Sequence, residues 1–567
     1  MHAFAEFLRS QPEIALFISL ALGYLIGNRK IGPFSLGGVC GTLLVALVLG
    51  QAGVRLSADL KNVAFALFIF ALGFTGGPQF FANLRTGWRY GILSVIEAVS
   101  VMAIVIGAML IFHLDEGTTA GMLAGAATES AVVGTASEAI GRLSLPPGQI
   151  QGLQNNVVTA YSVTYLFGLI TIVLFTSQIA PLILRINLRE ESAELFSKMS
   201  GGTSLAEGQV AGAPSLVGRI YRVDQAAGKT VAQFEAAHKM SITIEQLKRG
   251  DSVREATMEE TLVAGDLILV VGRRSELVLA AAEIGPEIGD ATQLDAVEGS
   301  EDVFVTRREV QDVALEDMRS KAPVEVGRGV YVSAIKRMDN PIPALPGTKV
   351  QRGDVLTLFG LRSAITRVAR ELGYVVTPTT KTDFVYLGLG IVAGMLLGRI
   401  TFRLGAVPVG FGTGGGCLLS GLLFGWGRSK FPVIGSFPAA ASQILKDFGL
   451  ATFIAAVGLS SGPDAVRLIK SYGLLLPVVG VLVVLIPACI SLFVGRRFLH
   501  FDAPILLGAI AGQQCSTPAI SAVTTVSGNS IPVIGYTITY AISNVLLPLL
   551  GPLLIGIAAL LHQRTTP

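Results

Sequence analysis

Two short polar clusters interrupt otherwise apolar sequence, and each carries side chains able to bind a small charged solute. The clusters combine hydroxyl, amide, thiol and carboxyl groups, and each is followed by a Tyr-x-x-Thr pair. The candidate substrate-binding residues are Thr128, Glu129, Ser130, Tyr161 and Thr164 in the first cluster, and Gln513, Gln514, Cys515, Ser516, Thr517, Tyr536 and Thr539 in the second. Polar groups inside a bilayer are costly unless they pair, which favours a substrate role. The alternative is that they hold helices together, as small polar residues do in membranes.

The two clusters are versions of one motif. The sequence AGAATESA at 124–131, followed by YSVTY at 161–165, returns as AGQQCSTP at 511–518, followed by YTITY at 536–540. Chance similarity between apolar helices gives Leu and Val matches, not ordered Gly, Ser, Thr and Tyr matches. Interruptions at corresponding places in two membrane halves indicate a transport site at the interface between repeats.

Helix breaks are expected within both clusters, at Gly125, Gly512 or Pro518. A helix that starts inside the membrane presents free N–H groups and the positive end of its dipole. Such an end suits a substrate carboxylate without a buried Lys or Arg.

Glu129 and Glu97 are the two acidic residues predicted to lie within the membrane. Glu129 lies in the first cluster and aligns with the neutral Ser516, so the two halves are not equivalent there. It is predicted to couple transport or to bind a substrate amine, with a structural hydrogen bond or a water-exposed loop tip as alternatives. Glu97 is a second coupling candidate, and the alternative is a neutral, hydrogen-bonded acid that faces the helix bundle.

The Tyr and Thr of each pair are separated by three residues, which places them on one helix face. Tyr161 with Thr164, and Tyr536 with Thr539, are therefore predicted to line the cavity beside the broken segments. Interhelical hydrogen bonding is the alternative.

Composition places the chain in a membrane. Of its 567 residues 51% are hydrophobic and 15% are charged, with a mean hydropathy of +0.63, far too apolar for a soluble protein of this size. The small net charge of +3 argues against a nucleic-acid partner, and the excess of basic residues in the membrane halves fits loops that face anionic lipid. The four cysteines show no CxxC spacing, so we predict neither disulfides nor a metal site, and no cofactor.

Acidic residues concentrate in the middle of the chain, where 28 of the 40 lie between Glu190 and Glu371. This region is predicted to be a soluble insert between two membrane halves. Within it, a Gly-Asp turn that leads into an alternating strand occurs twice, at Gly265-Asp266 and Gly353-Asp354. The predicted domains are a first membrane repeat at 1–188, two similar small α+β domains at 205–292 and 293–376, and a second membrane repeat at 382–563.

Each membrane half contains six apolar segments, and basic residues in short loops give their orientation. Arg29, Arg85, Arg89 and Arg185 all lie on the cytoplasmic side only if one segment fails to cross, and the interrupted run at 118–140 is the natural choice. The predicted fold is thus a polytopic α-helical membrane protein of two inverted repeats, each with about five transmembrane helices and one re-entrant hairpin or broken helix. The insert is predicted to be cytoplasmic and both termini extracytoplasmic.

The duplicated membrane halves around two Gly-Asp units resemble the aspartate:alanine exchanger family of bacterial secondary transporters over essentially the whole chain. The two insert domains are similar to TrkA C-terminal (RCK-C) domains, without the GxGxxG motif of a nucleotide-binding partner. The resemblance implies an inner-membrane antiporter that exchanges aspartate for alanine, with a small anionic or zwitterionic substrate, membrane lipid around it, a homodimeric assembly and a small effector on the insert.

Two other functions remain open at this stage. A dicarboxylate exporter of the succinate type would use the same scaffold. A ligand-regulated ion channel or cation antiporter is suggested by the insert domains, although no TVGYG-type filter is present. The sequence also lacks HExxH and P-loop motifs, so an enzyme is not expected.

Overall fold

A computed structural model describes most of the chain, and its ranges are 2–31, 34–35, 37–199, 216–238, 242–289, 298–321, 324–337, 340–376, 381–404, 407–431 and 434–565. The chain forms two compact units. The membrane unit comprises Met1–Ala193 and Thr379–Pro567, and the insert unit comprises Glu194–Pro378. The predicted domain boundaries at 205 and at 292–293 lie outside the described residues.

The first half of the membrane unit is built from helices, one π-helical turn and one small β-hairpin. Its helices are α1 (His2–Ser10), α2 (Pro12–Gly27), α3 (Gly38–Gly50), α4 (Ala58–Thr86), α5 (Trp88–Phe112), α6 (Glu116–Ala126), α7 (Ala131–Ile140), α8 (Pro147–Leu174), α9 (Ala180–Leu184) and α10 (Leu188–Met199). Strands β1 (Lys30–Ile31) and β2 (Phe34–Ser35) pair antiparallel between α2 and α3, and the π turn Phe175–Ile179 joins α8 to α9.

The second half presents the same order of elements. It contains α16 (Phe384–Leu397), β14 (Thr401–Leu404), β15 (Val407–Gly410), α17 (Gly412–Lys430), α18 (Ala439–Tyr472), α19 (Leu475–Arg497), α20 (Ala503–Gln513), α21 (Thr517–Ser527) and α22 (Ile531–Thr565). The β14–β15 hairpin again stands between the first two helices of the half. The order of elements from α2 to α8 thus recurs from α16 to α22.

Six helices in the described ranges are long and apolar enough to cross a bilayer. They are Asp59–Ala82, Trp88–Phe112, Pro147–Leu184, Ala439–Gly462, Leu475–Arg497 and Ile531–Leu561. Each half contributes three of them, and shorter apolar helices such as Pro12–Gly27 and Phe384–Leu397 accompany them. The protein is therefore a polytopic helical membrane protein with a central sheet-containing region.

The two halves pack through reciprocal helix pairs. Helix α4 lies against α17 while α3 lies against α18, and α5 lies against α22 while α8 lies against α19. Glycines permit the closest approaches: a Cβ on Gly73 would stand 2.4 Å from the Leu418 carbonyl oxygen, and one on Gly462 would stand 2.6 Å from the Gly50 carbonyl carbon. Small residues let membrane helices pack backbone to backbone.

The insert unit contains two similar α+β domains. The elements of the first are β3 (Leu216–Arg222), α11 (Val231–Ala237), β4 (Ile242–Arg249), β5 (Ser252–Glu255), β6 (Leu267–Arg273) and α12 (Arg274–Ile284). The elements of the second are β7 (Glu298–Val305), β8 (Val313–Ala314), α13 (Leu315–Lys321), α14 (Val324–Gly327), β9 (Tyr331–Arg337), β10 (Asn340–Ile342), β11 (Lys349–Val350), β12 (Val355–Leu361), α15 (Arg362–Leu372) and β13 (Gly373–Val375). The main sheets have strand orders β3-β6-β4-β5 and β10-β9-β12-β7-β13.

The repeated Gly-Asp turn is a structural device in both domains. Gly265 and Gly353 take φ values of 90° and 89°, which favour glycine. The Arg249 guanidinium donates to both Asp266 carboxylate oxygens at 2.9 and 2.7 Å. Arg337 binds Asp354 in the same way at 2.7 and 2.7 Å. Each aspartate thus ties the turn to the neighbouring strand, and this bidentate geometry accounts for the recurrence of the motif.

A buried ion pair joins the two domains within the insert unit. Arg328 of the second domain lies 2.9 Å from the fully buried Glu235 carboxylate of the first. The same guanidinium donates to the Ile244 and Ala256 carbonyl oxygens, and Tyr331 donates to the Val271 carbonyl oxygen at 3.0 Å. The Arg328–Glu235 ion pair thus holds one domain of the insert unit against the other. The described residues contain no second ion pair of this kind between the two domains.

Candidate functional site

The first interrupted segment is a helical hairpin. Helix α6 packs along α8, and a Cβ on Gly117 would stand 2.1 Å from the Leu153 carbonyl oxygen in the second turn of α8. Helix α7 ends at the same place, since the Gln154 amide donates to the Ser137 carbonyl oxygen at 2.7 Å. The segment therefore enters and leaves at the end of the membrane unit where α8 begins, which we call the opposite end.

The second interrupted segment enters from the other end. A Cβ on Gly508 would stand 1.8 Å from the Pro532 carbonyl oxygen at the start of α22, and only three residues separate α21 from α22. The connecting Asn529 accepts a hydrogen bond from Ser192 of α10 at 2.7 Å. Because α10 begins where the chain leaves the membrane half, we call this the exit end. The two hairpins, α6–α7 and α20–α21, thus point toward each other.

Both hairpin tips have the same strained turn. Thr128 and Cys515, 387 residues apart, each take a φ of 49°, a conformation uncommon for residues other than glycine. The following amides, Glu129 N–H and Ser516 N–H, donate to the Ala124 and Ala511 carbonyl oxygens at 2.9 and 3.1 Å. This pairing is that of a Schellman turn, the usual way to end a helix.

The breaks do not lie at the predicted glycines. Gly125 and Gly512 are inside α6 and α20, where a Cβ would stand 2.1 and 2.2 Å from the Thr164 and Thr539 hydroxyls. Their role is close packing, because only glycine leaves room for the threonine beneath. Pro518 lies in the first turn of α21, where proline is readily accommodated. The prediction that Gly125 or Gly512 breaks the helix was wrong by three residues in each half.

The two tips touch each other and a buried acid. The Thr128 hydroxyl donates to the Gln514 carbonyl oxygen, and the Gln514 amide donates to the Glu97 carboxyl. The Gln513 amide donates to the Leu93 carbonyl oxygen and to Ser491. Glu97 is 2% exposed and its second oxygen has no hydrogen-bond partner among the described residues. These contacts fix the second tip to α5 and α19.

Glu129 lies where the two halves meet. Its carboxyl accepts from the Ala131 N–H at 3.1 Å, at the start of α7, and interacts with the Cys515 thiol of the other tip. Tyr165 of α8 and Tyr540 of α22 also interact electrostatically with the Glu129 carboxyl group. A carboxylate 5% exposed, with aromatic rings from both halves nearby, is suited to bind an ammonium group.

Two tyrosines, one on α8 and one on α22, lie next to hydroxyl groups of the hairpin tips. Tyr161 lies 2.6 Å from the Ser130 hydroxyl, and Tyr536 lies 3.4 Å from the Thr517 hydroxyl. Thr164 and Thr539 lie deeper, and their hydroxyls donate to backbone carbonyl oxygens at 2.8 Å, of Ala160 and Ala509 respectively. Both threonines are fully buried, which is the geometry expected for interhelical packing. The described structure thus brings all twelve predicted site residues to one region.

Sequence reasoning did not select Tyr165 and Tyr540. Each stands four residues after the first tyrosine of its pair, and the ring centroids in the two pairs are 5.3 and 5.1 Å apart. The signal was present in the repeated Tyr-x-x-x-Tyr spacing, which places both rings on one helix face. The hydroxyl contact between Ser94 and Ser543 at 3.1 Å was also missed, because nothing in the sequence relates α5 to α22.

Two helical hairpins whose tips meet between long apolar helices form an arrangement suited to membrane transport. The membrane halves match a family model described as a predicted permease membrane region, at residues 15–181 and 386–556. The chain belongs to the aspartate–alanine exchanger family of transporters.

Similar curated proteins are named as uncharacterized transporters. One from Zymomonas mobilis is 39% identical over 553 residues, covering 97% of this chain and 98% of that protein. Others from Bordetella parapertussis and Shewanella oneidensis are 35% and 34% identical, covering 99% and 97% of this chain and 100% and 98% of those proteins. No solved structure matches the chain.

Proposed function

We propose that the protein is a secondary antiporter that exchanges an acidic amino acid, aspartate, for a neutral one, alanine, across the bacterial inner membrane. The observation that carries this proposal is the position of Glu129 at the junction of the two hairpin tips. One carboxyl group near three tyrosine rings, those of Tyr161, Tyr165 and Tyr540, suits the ammonium group that both substrates share. The hydroxyl and amide groups of the second tip suit the carboxylates.

Two inverted repeats are the proposed architecture of the membrane unit. Support comes from the recurring order of elements, the reciprocal helix pairs and the hairpins that enter from different ends. Basic residues such as Arg89, Arg185 and Arg496 lie toward the exit end, which favours a cytoplasmic exit end and insert and extracytoplasmic termini. A cysteine introduced at Gly285 should then react with an impermeant maleimide only after cells are opened, and reaction in intact cells would contradict this topology.

Export of a succinate-type dicarboxylate on the same scaffold is the second candidate. The family membership supports it equally, but succinate has no ammonium group and Glu129 would repel its carboxylates if ionised. The third idea, an ion channel, needs a continuous pore, whereas the two hairpin tips contact each other through Thr128 and Gln514.

Counterflow in proteoliposomes separates these functions. Vesicles loaded with alanine should accumulate labelled aspartate, and empty vesicles should not. Labelled succinate should not replace aspartate. Equal aspartate uptake into empty and loaded vesicles would indicate a channel, and succinate exchange without aspartate exchange would favour the second candidate.

The insert unit is proposed to regulate exchange through a small effector and to support a homodimer. Its two domains contain no nucleotide-binding motif, and their repeated Arg–Asp turns serve structure and not ligand binding. Static light scattering of purified protein tests the dimer, since a monomeric mass would contradict it.

A further inference from the structure

The two hairpins are packed to different extents, although their sequences are related. In α7, every residue from Ala131 to Ser137 is buried, and the helix packs on α22 and α17. In α21, only Ala519, Ile520, Val523 and Ser527 are buried, and the helix packs on α8, α22 and the π turn. The membrane unit is therefore tight around the first hairpin and loose around the second.

Glu138 closes the tight side. Its carboxylate accepts from the backbone N–H of Thr413 and from that of Gly414, the latter at 3.0 Å, at the first turn of α17. Arg142 holds the same carboxylate at 3.0 Å and donates to the Gly398 carbonyl oxygen at 3.2 Å. The end of α7 is thus clamped to the start of α17 and to Gly398, directly after α16, at the opposite end of the unit.

Among the residues that the structure describes, the loose side shows no corresponding contact. Gly412 has a φ of +68°, and a Cβ there would stand 2.6 Å from the Glu138 carboxylate, whereas its counterpart Gly37, with a φ of +78°, would meet no described atom within 4 Å. The residue that corresponds to Glu138 is Thr525, 387 residues later, and its hydroxyl donates at 2.7 Å to Ser521 of its own helix.

The loose side also presents a polar helix face. Thr517, Ser521 and Thr525 are exposed and four residues apart, so they form one hydroxyl-bearing face of α21. Such a face is costly in lipid and is expected to meet water. It leads from the exit end to the tip that contains Cys515.

We propose that Glu138 is a gate residue of the transport cycle: it seals the opposite end while the α21 face leaves the site open toward the exit end. In the alternate state, the Glu138 contacts break and α21 closes onto the start of α3. This inference rests on the proposed transport function, because a gate is needed only if substrate passes the tips. Two related halves that are packed to different extents can exchange their arrangements, so that one end closes when the other opens.

Cysteine accessibility tests the gate without any substrate. In a background that lacks the four native cysteines, Ser137→Cys reports the sealed side and Ser521→Cys reports the open side. Purified protein should show Ser521→Cys reacting with a hydrophilic maleimide at least about tenfold faster than Ser137→Cys. Glu138→Ala removes the charge-assisted hydrogen bonds to the Glu138 carboxylate. The labelling rate of Ser137→Cys should therefore rise, and that of Ser521→Cys should fall, by roughly tenfold.

A reciprocal variant provides an independent test at an exposed position that folding should tolerate. We expect Thr525→Glu to place a carboxylate opposite the start of α3. Labelling of Ser521→Cys should then slow, and labelling of Ser137→Cys should become faster. Thr525→Gln, which adds no charge, should change both rates less. Unchanged rates in both Glu138→Ala and Thr525→Glu would overturn the proposal. So would a change at one probe alone, because that is local loosening and not a reciprocal gate. Neither result depends on which substrate is transported, so failure here is distinguishable from failure in counterflow.

Discussion

Glu129 and Ser516 occupy the same position in two hairpin tips, yet only Glu129 has an ionisable side chain. This difference makes the site polar along one direction, with the carboxylate on the first tip and hydroxyl, thiol and amide groups on the second. A symmetric site would bind an amino acid in two orientations equally well. The single carboxyl group favours one orientation, which the proposed exchange of amino acids requires.

At this scale, Glu129→Gln is expected to impair exchange more than Glu97→Gln. Loss of a charge-assisted contact to the substrate should reduce exchange by about 10- to 100-fold. Glu97 faces the Gln514 amide and no described cation, so a neutral amide in its place should preserve the hydrogen bond. Initial rates at acidic, neutral and mildly alkaline pH, at equal expression, measure both variants. Wild-type rates for Glu129→Gln at every pH would contradict a substrate or coupling role.

At the scale of elements, α6 and α8 depend on glycines at their contact. Gly125→Ala would force a Cβ to within 2.1 Å of the Thr164 hydroxyl, and overpacking of this kind typically costs about 1–3 kcal/mol. Gly148→Ala, in the first turn of α8, has open space around it and serves as the matched control. Thermal unfolding in detergent should show a lowered midpoint for Gly125→Ala only. Equal midpoints for the two variants would mean that α6 does not pack on α8 as described.

The turn at Asp266 gives the insert a defined pH dependence. Burial on its own would raise the pKa of Asp266, but the hydrogen bonds from Arg249 and the Val263 N–H, with nearby charges, lower it below its usual value. A lowered folded-state pKa stabilises the fold above the unfolded-state pKa of about 3.9, and that contribution is lost as pH falls through the folded-state pKa. Arg249 is 40% exposed, so solvent screens part of the effect.

The free energy of unfolding of the insert should therefore fall less steeply in Asp266→Asn than in wild type as the pH drops below about 4. Asp251→Asn, at an exposed turn, serves as the control. Chemical unfolding of the full chain, followed by a fluorophore placed in the insert, measures this. An identical loss of stability in acid for wild type and Asp266→Asn would show that the Arg249 contact does not carry the effect.

Much of this arrangement could be predicted from the sequence, because related halves reveal themselves through ordered Gly, Thr and Tyr matches. Counting loop charges predicted only that the interrupted run at 118–140 does not cross the membrane fully, either as a re-entrant hairpin or as a broken helix. The break position did not, since Thr128 and Cys515 adopt a left-handed conformation that their residue types disfavour and that surrounding contacts must impose. The Glu97–Gln514 contact spans 417 residues, and a single sequence provides no signal for such a pairing.

The predicted site residues and the insert belong to different units of the chain. All of the predicted site residues lie in the membrane unit of 1–193 and 379–567. Deleting residues 201–373 and joining the ends with a flexible linker should leave substrate-induced thermal stabilisation intact, while the exchange rate or its response to cytoplasmic ligands should change. A deletion protein that folds but is no longer stabilised by substrate would place part of the site in the insert.

The central claim is that substrate binds where the two hairpin tips meet, and Cys515 reports on that point directly. In protein that retains Cys515 but lacks the other three cysteines, saturating aspartate or alanine should slow alkylation of Cys515 several-fold. The protection should disappear in Glu129→Gln. Alkylation that proceeds at the same rate with and without substrate, in protein that still exchanges, would show that the substrate binds elsewhere.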